Sequence, residues 1–349
     1  MFNEMNFTCP PPPGYKGKVQ MGHGGGGRMS RKLIRELFIH EFKSPSLMEE
    51  HDGSIVAIDG VRLAFCTDGH VVSPPFFPGG DIGSLAVHGT VNDLAACGAR
   101  PIAMSSAFVI EEGFPIADLE RIVRSMAAAA EHAGVEIVTG DTKVVEHGKG
   151  DGVFITTSGI GLIEHEPAPA PRNVKPGDRV VISGPIARHG LAILSIRDNL
   201  TFESELVSDS APLWDLVSRV YAAGIKPKCM RDPTRGGLAA ALSEIAELAG
   251  TSITLDDRAI PLAEEAKNAC EFLGLDPLFI ANEGLMLFFV KADDEPLLLE
   301  TLRSHPLGAQ AAAIGRVDPG DAGILFIETE LGGRRAIDIP AGEELPRIC

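Results

Sequence analysis

Basic charge is scarce in this sequence: 31 Lys and Arg stand against 48 Asp and Glu, a formal balance of −17. A protein that tracks a nucleic acid backbone needs a basic stripe to displace phosphate counterions, so that class is excluded. Long apolar runs are missing as well. The longest, such as Gly284–Val290, fall far short of the ~20 residues that span a bilayer. The opening stretch MFNEMNFTCPPPPGY also lacks the ordered basic, apolar and cleavage regions of a secretory signal. The expectation is a cytoplasmic protein with no membrane partner. Among the six cysteines there is no Cys-x-x-Cys pair and no histidine at zinc-knuckle spacing, and a chain of this length has no need of a disulfide framework. Five of them (Cys9, Cys66, Cys97, Cys229, Cys270) read as small buried hydrophobes. The sixth, Cys349, is the last residue of the sequence.

What is present is an ordinary globular composition. Hydrophobic residues make up 44% and charged residues 23% of 349, which excludes disorder as the main state and suggests two domains. Four consecutive prolines, Pro10 to Pro13, make the start an extended arm. Gly22–Gly27 then leads into a helix over 28–43, with Leu33, Ile34, Leu37, Phe38 and Phe42 on one face. Asp59-Gly60 marks a hairpin between strands at 54–58 and 61–66. Asp81 can cap a helix that runs to about Cys97, and Gly98 stops it. A strand over 101–110, a helix over 116–133 and strands over 135–139 and 153–163 complete the first domain. The proline-rich segment 164–178 reads as a stiff connector. Beyond it, strands and helices alternate again in a second domain over 175–340, and 341–349 forms a tail with no element of its own. At ~3.3–3.6 Å per residue that tail can reach about 30 Å, enough to carry Cys349 into a cleft.

The glycine loop fits known nucleotide motifs only superficially. Gly22-x-Gly24-x-x-Gly27 lacks the preceding buried strand of a dinucleotide fingerprint, and Arg28-Met29 stands where a P-loop needs Lys and Ser or Thr. Bare backbone N–H groups beside a helix start can still close over phosphates, the alternative being a hinge. Six aspartates, Asp52, Asp68, Asp81, Asp93, Asp141 and Asp232, sit beside glycines or at strand ends in both domains. Carboxylates repel a triphosphate, and a hard divalent cation with oxygen ligands resolves the conflict. Each could equally be a cap, Asp81 and Asp93 above all. Lys143 and Glu283 are charged groups whose burial would suit them to proton transfer, or else plain surface charges. His88 reads as a packing residue.

Several blocks taken together resemble one family. Gly22-His23-Gly24-Gly25-Gly26-Gly27-Arg28, Thr67-Asp68 through Val72-Ser73-Pro74, Phe77-Pro78-Gly79-Gly80-Asp81-Ile82-Gly83, Gly89-Thr90-Val91-Asn92-Asp93-Leu94 and Asp232-Pro233-Thr234-Arg235-Gly236-Gly237 resemble the HypE family of hydrogenase maturation proteins. So does the terminal Pro346-Arg347-Ile348-Cys349. The middle blocks alone indicate the wider PurM-like superfamily of aminoimidazole ribonucleotide synthetase, selenophosphate synthetase and thiamine monophosphate kinase. Ser84 and His88 depart from the lysine and cysteine of many relatives.

The resemblance implies a two-domain α/β (α+β) fold. Residues 1–27 form the arm and glycine loop, and 28–165 an ATP-binding domain that pairs into a homodimer barrel. It implies ATP-dependent dehydration of a carbamoyl group on Cys349 to a thiocyanate, with ATP and Mg²⁺ as cofactors. Its partners would be the carbamoyltransferase HypF and the HypC–HypD complex. Lys143 and Glu283 would handle protons, and Asp52, Asp68, Asp93, Asp141 and Asp232 would serve metal and phosphate. His23, Gly24, Gly25, Gly26, Asp81, Asn92, Asp93, Thr142 and Arg235 would contact nucleotide, although Asp81 could merely cap. Two rivals stand beside this reading: a small-molecule kinase or synthetase of the same superfamily, and a non-catalytic carrier of a Cys349-linked group.

Overall fold

The computed structural model describes residues 18–200, 206–329, 331–340, 342, 345 and 347–349. The proline arm, with Cys9, lies outside the described residues. A 3-10 turn, Met21–His23, opens the glycine loop, and among the described residues no strand of the kind a dinucleotide fingerprint demands leads into it. The loop enters helix α1 (Arg28–Leu33), which runs through a π turn (Ile34–Ile39) into α2 (His40–Phe42). The apolar face expected on this helix does not join a core. Ile34, Leu37, Phe38 and Phe42 are exposed, because the helix stands off the sheets and roofs a cleft.

The first domain continues through β1 (Ser54–Ile58), β2 (Val61–His70), β3 (Phe76–Phe77), β4 (Gly80–Asp81), α3 (Ile82–Ala96), β5 (Ala99–Glu111), α4 (Ile116–Ala133), β6 (Glu136–Val145) and β7 (Val153–Ile163). Its turn is the one that Asp59-Gly60 announces, with φ of +48° and +83° at the two residues. Strand order is β1-β2-β7-β5-β6. Only β5 and β6, joined across α4, are parallel; the other pairs are antiparallel. Helix α3 is buried almost all round, between this sheet and the second domain, as expected of a helix without a polar face. That position brings the acidic end of α3 to the domain boundary.

The connector is tied down by the Ala170 N–H donating to the Lys228 carbonyl at 2.9 Å. The second domain comprises β8 (Arg179–Ile182), α5 (Arg188–Arg197), α6 (Trp214–Ala222), β9 (Cys229–Arg231), α7 (Gly237–Ala249), β10 (Ser252–Asp256), α8 (Glu264–Leu273), β11 (Leu287–Val290), α9 (Glu295–Arg303), β12 (Ala312–Asp318), β13 (Leu325–Glu328) and β14 (Arg334–Ile337). Its seven strands run β14-β13-β10-β12-β8-β11-β9, and only β10 and β13 are parallel. Val180, Ile182, Leu287 and Phe289 pack toward α7, while Val181, Phe288 and Val290 pack toward α6 and α9. Burial on both faces explains why β8 and β11 read as unbroken apolar runs. The alternation of strands and helices therefore yields two mixed, largely antiparallel sheets rather than one wound parallel sheet.

Candidate active site

A cleft of about 520 Å³ opens between the two domains, within the size range of small-molecule sites. One wall is the apolar side of the α1–α2 helix, with Ile34, Phe38 and Phe42; the floor is acidic. Asp52 precedes β1, Asp68 lies on β2, Asp93 is in the last turn of α3, and Asp232 follows β9. Carboxylate oxygens of Asp52, Asp93 and Asp232 all lie within 4.8 Å of one another. Burial, followed by the neighbouring charges, pushes the Asp52 and Asp93 carboxyls well above the usual carboxylate range. Asp232 is pushed up to about 7, by burial and then by Asp68. Arg231 offsets part of this repulsion, with its Nε 2.9 Å from Asp52 Oδ1 and its Nη1 3.4 Å from Glu244.

The donor set fits a hard divalent cation. All three ligand atoms are carboxylate oxygens, and the buried Oδ2 of Asp52 accepts no hydrogen bond. The sequence reading missed the ion pairs that brace this floor against the roof. Arg31 meets Glu247 at 2.6 Å, and Arg35 meets Glu50 at 2.7 Å and Glu247 at 2.5 Å. Their partners are distant in the sequence, so no local pattern signals them.

The glycine loop and the Thr234–Gly237 loop interlock at the cleft mouth. Gly26 has a φ of +76°, and a Cβ there would come within 2.8 Å of the Arg235 carbonyl oxygen. Gly237, at φ +62°, faces the backbone of Leu278 and Ile280 at 2.6 and 2.7 Å. Glycine is required at both on steric and conformational grounds. Arg235 Nη1 donates to the Gly24 carbonyl at 3.0 Å. Gly25 is buried beside it, and His23 Nδ1 accepts the Gln20 N–H at 3.0 Å.

Glu283 is fully enclosed, and its Oε1 has no hydrogen-bond partner. Burial first, then Asp232, Asp209 and Asp68, hold its carboxyl well above the usual range. Asp209, another residue the sequence did not single out, accepts the Glu283 and Gly284 N–H groups at 3.2 and 3.0 Å.

Three expected site residues are placed differently. Asn92 donates to the carbonyls of Ala211 and Glu283 and accepts the Leu213 N–H. Its amide thus pins α3 to the second domain, with both of its N–H donors already spent on protein carbonyls. Asp81 is an N-cap: its Oδ1 accepts the Gly83 N–H at 2.8 Å and the Ser84 N–H at 3.2 Å. Asp141 does not join the acidic floor. The ladder pairs Asp68 with Thr157, Thr157 with Ser106 and Ser106 with Gly140, so three strand spacings, about 14 Å, separate Asp68 from β6. On that edge strand Asp141 accepts the Thr142 N–H and pairs with Lys143 at 2.8 Å, both side chains more than half exposed. Within one chain Lys143 and Glu283 are therefore apart.

The carboxyl-terminal residues are docked. The Val71 N–H donates to the Cys349 carbonyl at 2.9 Å, and the Ser73 N–H to that of Arg347 at 3.2 Å. Leu345 and Ile348 are buried, and Cys349 is half-buried. Val71 is three residues beyond Asp68, so the Cys349 backbone lies roughly 10 Å along the strand from the acidic floor. Cys66, Cys97, Cys229 and Cys270 are buried, with thiols pushed upward chiefly by burial, to about 12 for Cys229 and about 11 for Cys270. Such thiols are poor nucleophiles.

Comparisons with known proteins agree with this architecture. Residues 50–163 match the amino-terminal domain and 175–328 the carboxy-terminal domain of the AIR synthase related proteins, the PurM-like fold. A carbamoyl dehydratase HypE of Azotobacter vinelandii is 51% identical over 333 residues, covering 95% of this chain and 98% of the relative. A crystal structure of a HypE–HypF complex superposes with a TM-score of 0.84 at 45% identity, covering 88% of this chain and 99% of that one. A structure of the hydrogenase maturation protein HypE in complex with ATP gives 0.81 at 45% identity, covering 95% and 100%.

Proposed function

The chain belongs to the HypE family of carbamoyl dehydratases, and from that premise we propose that it dehydrates a carbamoyl group carried on its own Cys349. The product would be a thiocyanate that supplies cyanide for hydrogenase maturation. The observation that carries this reading is the docked tail. It seats the last residue at the end of β2, the strand whose Asp68 lines the acidic cleft.

The chemistry balances as follows. The thiocarboxamide S–C(=O)–NH₂ gives its oxygen to the γ-phosphoryl group of ATP. It loses both nitrogen protons, one to the departing phosphate and one to the medium. What remains is S–C≡N, ADP and phosphate. Asp52, Asp93 and Asp232 would hold Mg²⁺, which supplies charge neutralisation between carboxylates and nucleotide phosphates. Gly26 and Arg235 line the cleft, and the Gly24–Gly26 loop beside them would close over the nucleotide phosphates. Glu283 binds protons strongly for a carboxylate, which suits it to take one from the nitrogen.

Lys143, with Asp141 and Thr142, would reach a cleft across a homodimer. In support, the sheet that carries them exposes Phe65, Val109, Val138 and Ile160, an apolar surface of the kind that partners cover. The structural likeness to a HypE–HypF complex supports a HypF-type carbamoyl donor, with a HypC–HypD-type acceptor downstream. Among the described residues no helix is long and apolar enough to cross a membrane.

The test is mass spectrometry of the carbamoylated protein with Mg-ATP. Loss of one water mass at the terminal peptide, with ADP formed, is expected; an unchanged adduct would point to the carrier instead. Cys349→Ala should abolish product and keep nucleotide binding, whereas turnover of a free small molecule by that variant would favour the kinase reading.

A further inference from the structure

The tail is held mainly by its main chain, through two side chains of one helix that the cleft does not use. His189, at the start of α5, is fully buried. Its Nδ1 lies 2.8 Å from Ser208 Oγ, and its Nε2 is hydrogen-bonded to the Ile348 carbonyl. Ser208 Oγ in turn accepts the Ser210 N–H at 3.1 Å. With the Ser208 hydroxyl donating to Nδ1, the ring must carry its proton on Nε2 and donate it to Ile348. Every member of this relay then has one consistent role. Arg197, at the other end of α5, donates from Nη2 to the Arg347 carbonyl at 2.7 Å and to the Ser73 carbonyl at 2.8 Å.

Between these contacts Arg347 adopts φ +55°, a left-handed conformation that is strained for a residue with a side chain. Docking is what holds it there. The Arg347 guanidinium donates to the Val71 carbonyl at 3.0 Å and pairs with Asp151. The turn sends Ile348 into the core and leaves the Cys349 carbonyl accepting the Val71 N–H just past the end of β2. The carbonyl that His189 grips is joined directly to the Cys349 amide nitrogen.

We propose that His189 and Arg197 are positioning residues: they form a clamp that grips the tail's main chain, not the side chain that would carry the carbamoyl group, and so fixes the Cys349 sulfur relative to the cleft. The catalytic consequence rests on the self-modification reading above, but the clamp itself does not, so the two can fail separately. A clamp of this kind acts through orientation, where small displacements carry large rate penalties.

The experiment uses the full chain and follows alkylation of the Cys349 thiol by N-ethylmaleimide at its own tryptic peptide. Arg197→Ala and His189→Ala should each speed alkylation about tenfold. His189→Gln, whose amide can still donate to Ile348, should stay near the wild-type rate. Nucleotide affinity should be unchanged in Arg197→Ala, which removes a half-buried side chain outside the cleft. In single turnover of carbamoylated protein, Arg197→Ala should lower the rate constant about tenfold with no change in the ATP concentration at half-maximal rate. Wild-type alkylation in a folded, nucleotide-binding Arg197→Ala protein would overturn the clamp. A His189→Gln protein as fast as His189→Ala would remove His189 from it. Failure to dehydrate with the alkylation pattern intact would instead sink the proposed reaction and leave the clamp standing.

Discussion

Asp232 and Asp141 each stand on or just past a strand of a sheet, and each has a cation within two residues in sequence, Arg231 for one and Lys143 for the other. Their chemistry nevertheless runs in opposite directions. Asp232 is buried among carboxylates, and its pKa rises to about 7 in spite of Arg231. Asp141 is exposed, and its carboxyl is held below the usual range by the hydrogen bond from Lys143 and then the Thr142 N–H. The difference shows that the neighbour in sequence does not decide a carboxylate's state here. Desolvation and like charges brought from other elements outweigh one adjacent cation when the group is buried. The acidic floor gathers three carboxylates within one chain, whereas the Asp141–Lys143 pair faces solvent.

The largest effect expected from this contrast lies on the exposed side. Lys143→Ala should leave the melting temperature nearly unchanged, since its ion pair is solvent-exposed. Yet it should lower dehydration about 10²–10⁴-fold if it handles a proton. Mixing Lys143→Ala with Glu283→Gln protomers should restore up to one full site per mixed dimer, about half the activity of a wild-type dimer. No restoration, with mixed dimers formed, would show that the lysine does not act across the interface.

On the buried side, Asp232→Asn should weaken Mg-ATP binding about 100-fold or more, since losing even an outer-shell partner of a metal costs up to about that much. Asp141→Asn should weaken it far less. Titration calorimetry of the two variants would distinguish them, and equal losses would erase the distinction between the two acidic sets.

How far this contrast could be read in advance varies along the chain. Helix α4 and strand β7 were legible to the residue, because an amphipathic run stopped by Gly134 and a strand bounded by Gly152 carry their own punctuation. Helix α6 went unseen although Leu216, Val217, Val220 and Tyr221 have helical spacing. β9 is three residues long and has no period to detect. Asp52, Asp93, Asp232 and Glu283 could be singled out from residue type and from a neighbouring glycine, turn or strand end, and the fold gathers the first three within 4.8 Å of one another. The surroundings of Asn92 and Asp141 could not be read locally, because they depend on partners 119 to 191 residues away or on sheet order. Asp209, His189 and Arg197 gave no local signal: each acts by what the fold brings to it.

The buried trio also predicts a pH dependence. The folded pKa values of Asp52, Asp93 and Asp232 lie above their unfolded values, so the folded state binds more protons. This contribution is fully favourable below the unfolded pKa near 3.8 and is lost as pH rises through the folded values, about 7 for Asp232. With chelator present, the melting temperature should fall by roughly 5–10 °C between pH 5 and 7.5. Mg²⁺ should restore it at the upper end. A flat profile in chelator would mean that the carboxylates are not in conflict.

The smallest effect concerns Asp81, the aspartate for which capping and nucleotide contact both stood open. Its Oδ1 already accepts two N–H groups of the first turn of α3, and the Ser84 hydroxyl lies 3.1 Å from the Asp81 nitrogen, closing the cap on itself. The side chain is buried and does not line the cleft. Asp81→Ala should therefore cost about 1 kcal/mol of stability, read as a drop of about 2–4 °C in melting temperature. Asp81→Ser, which keeps an acceptor at the cap, should recover most of it. Mg-ATP affinity should stay at the wild-type value in both, because α3 is anchored by Asn92 at its other end and by burial along its length. A loss of affinity in Asp81→Ser without a loss of stability would move Asp81 from the scaffold into the nucleotide site, and would extend the acidic set to the start of the helix that already bears Asp93 at its end.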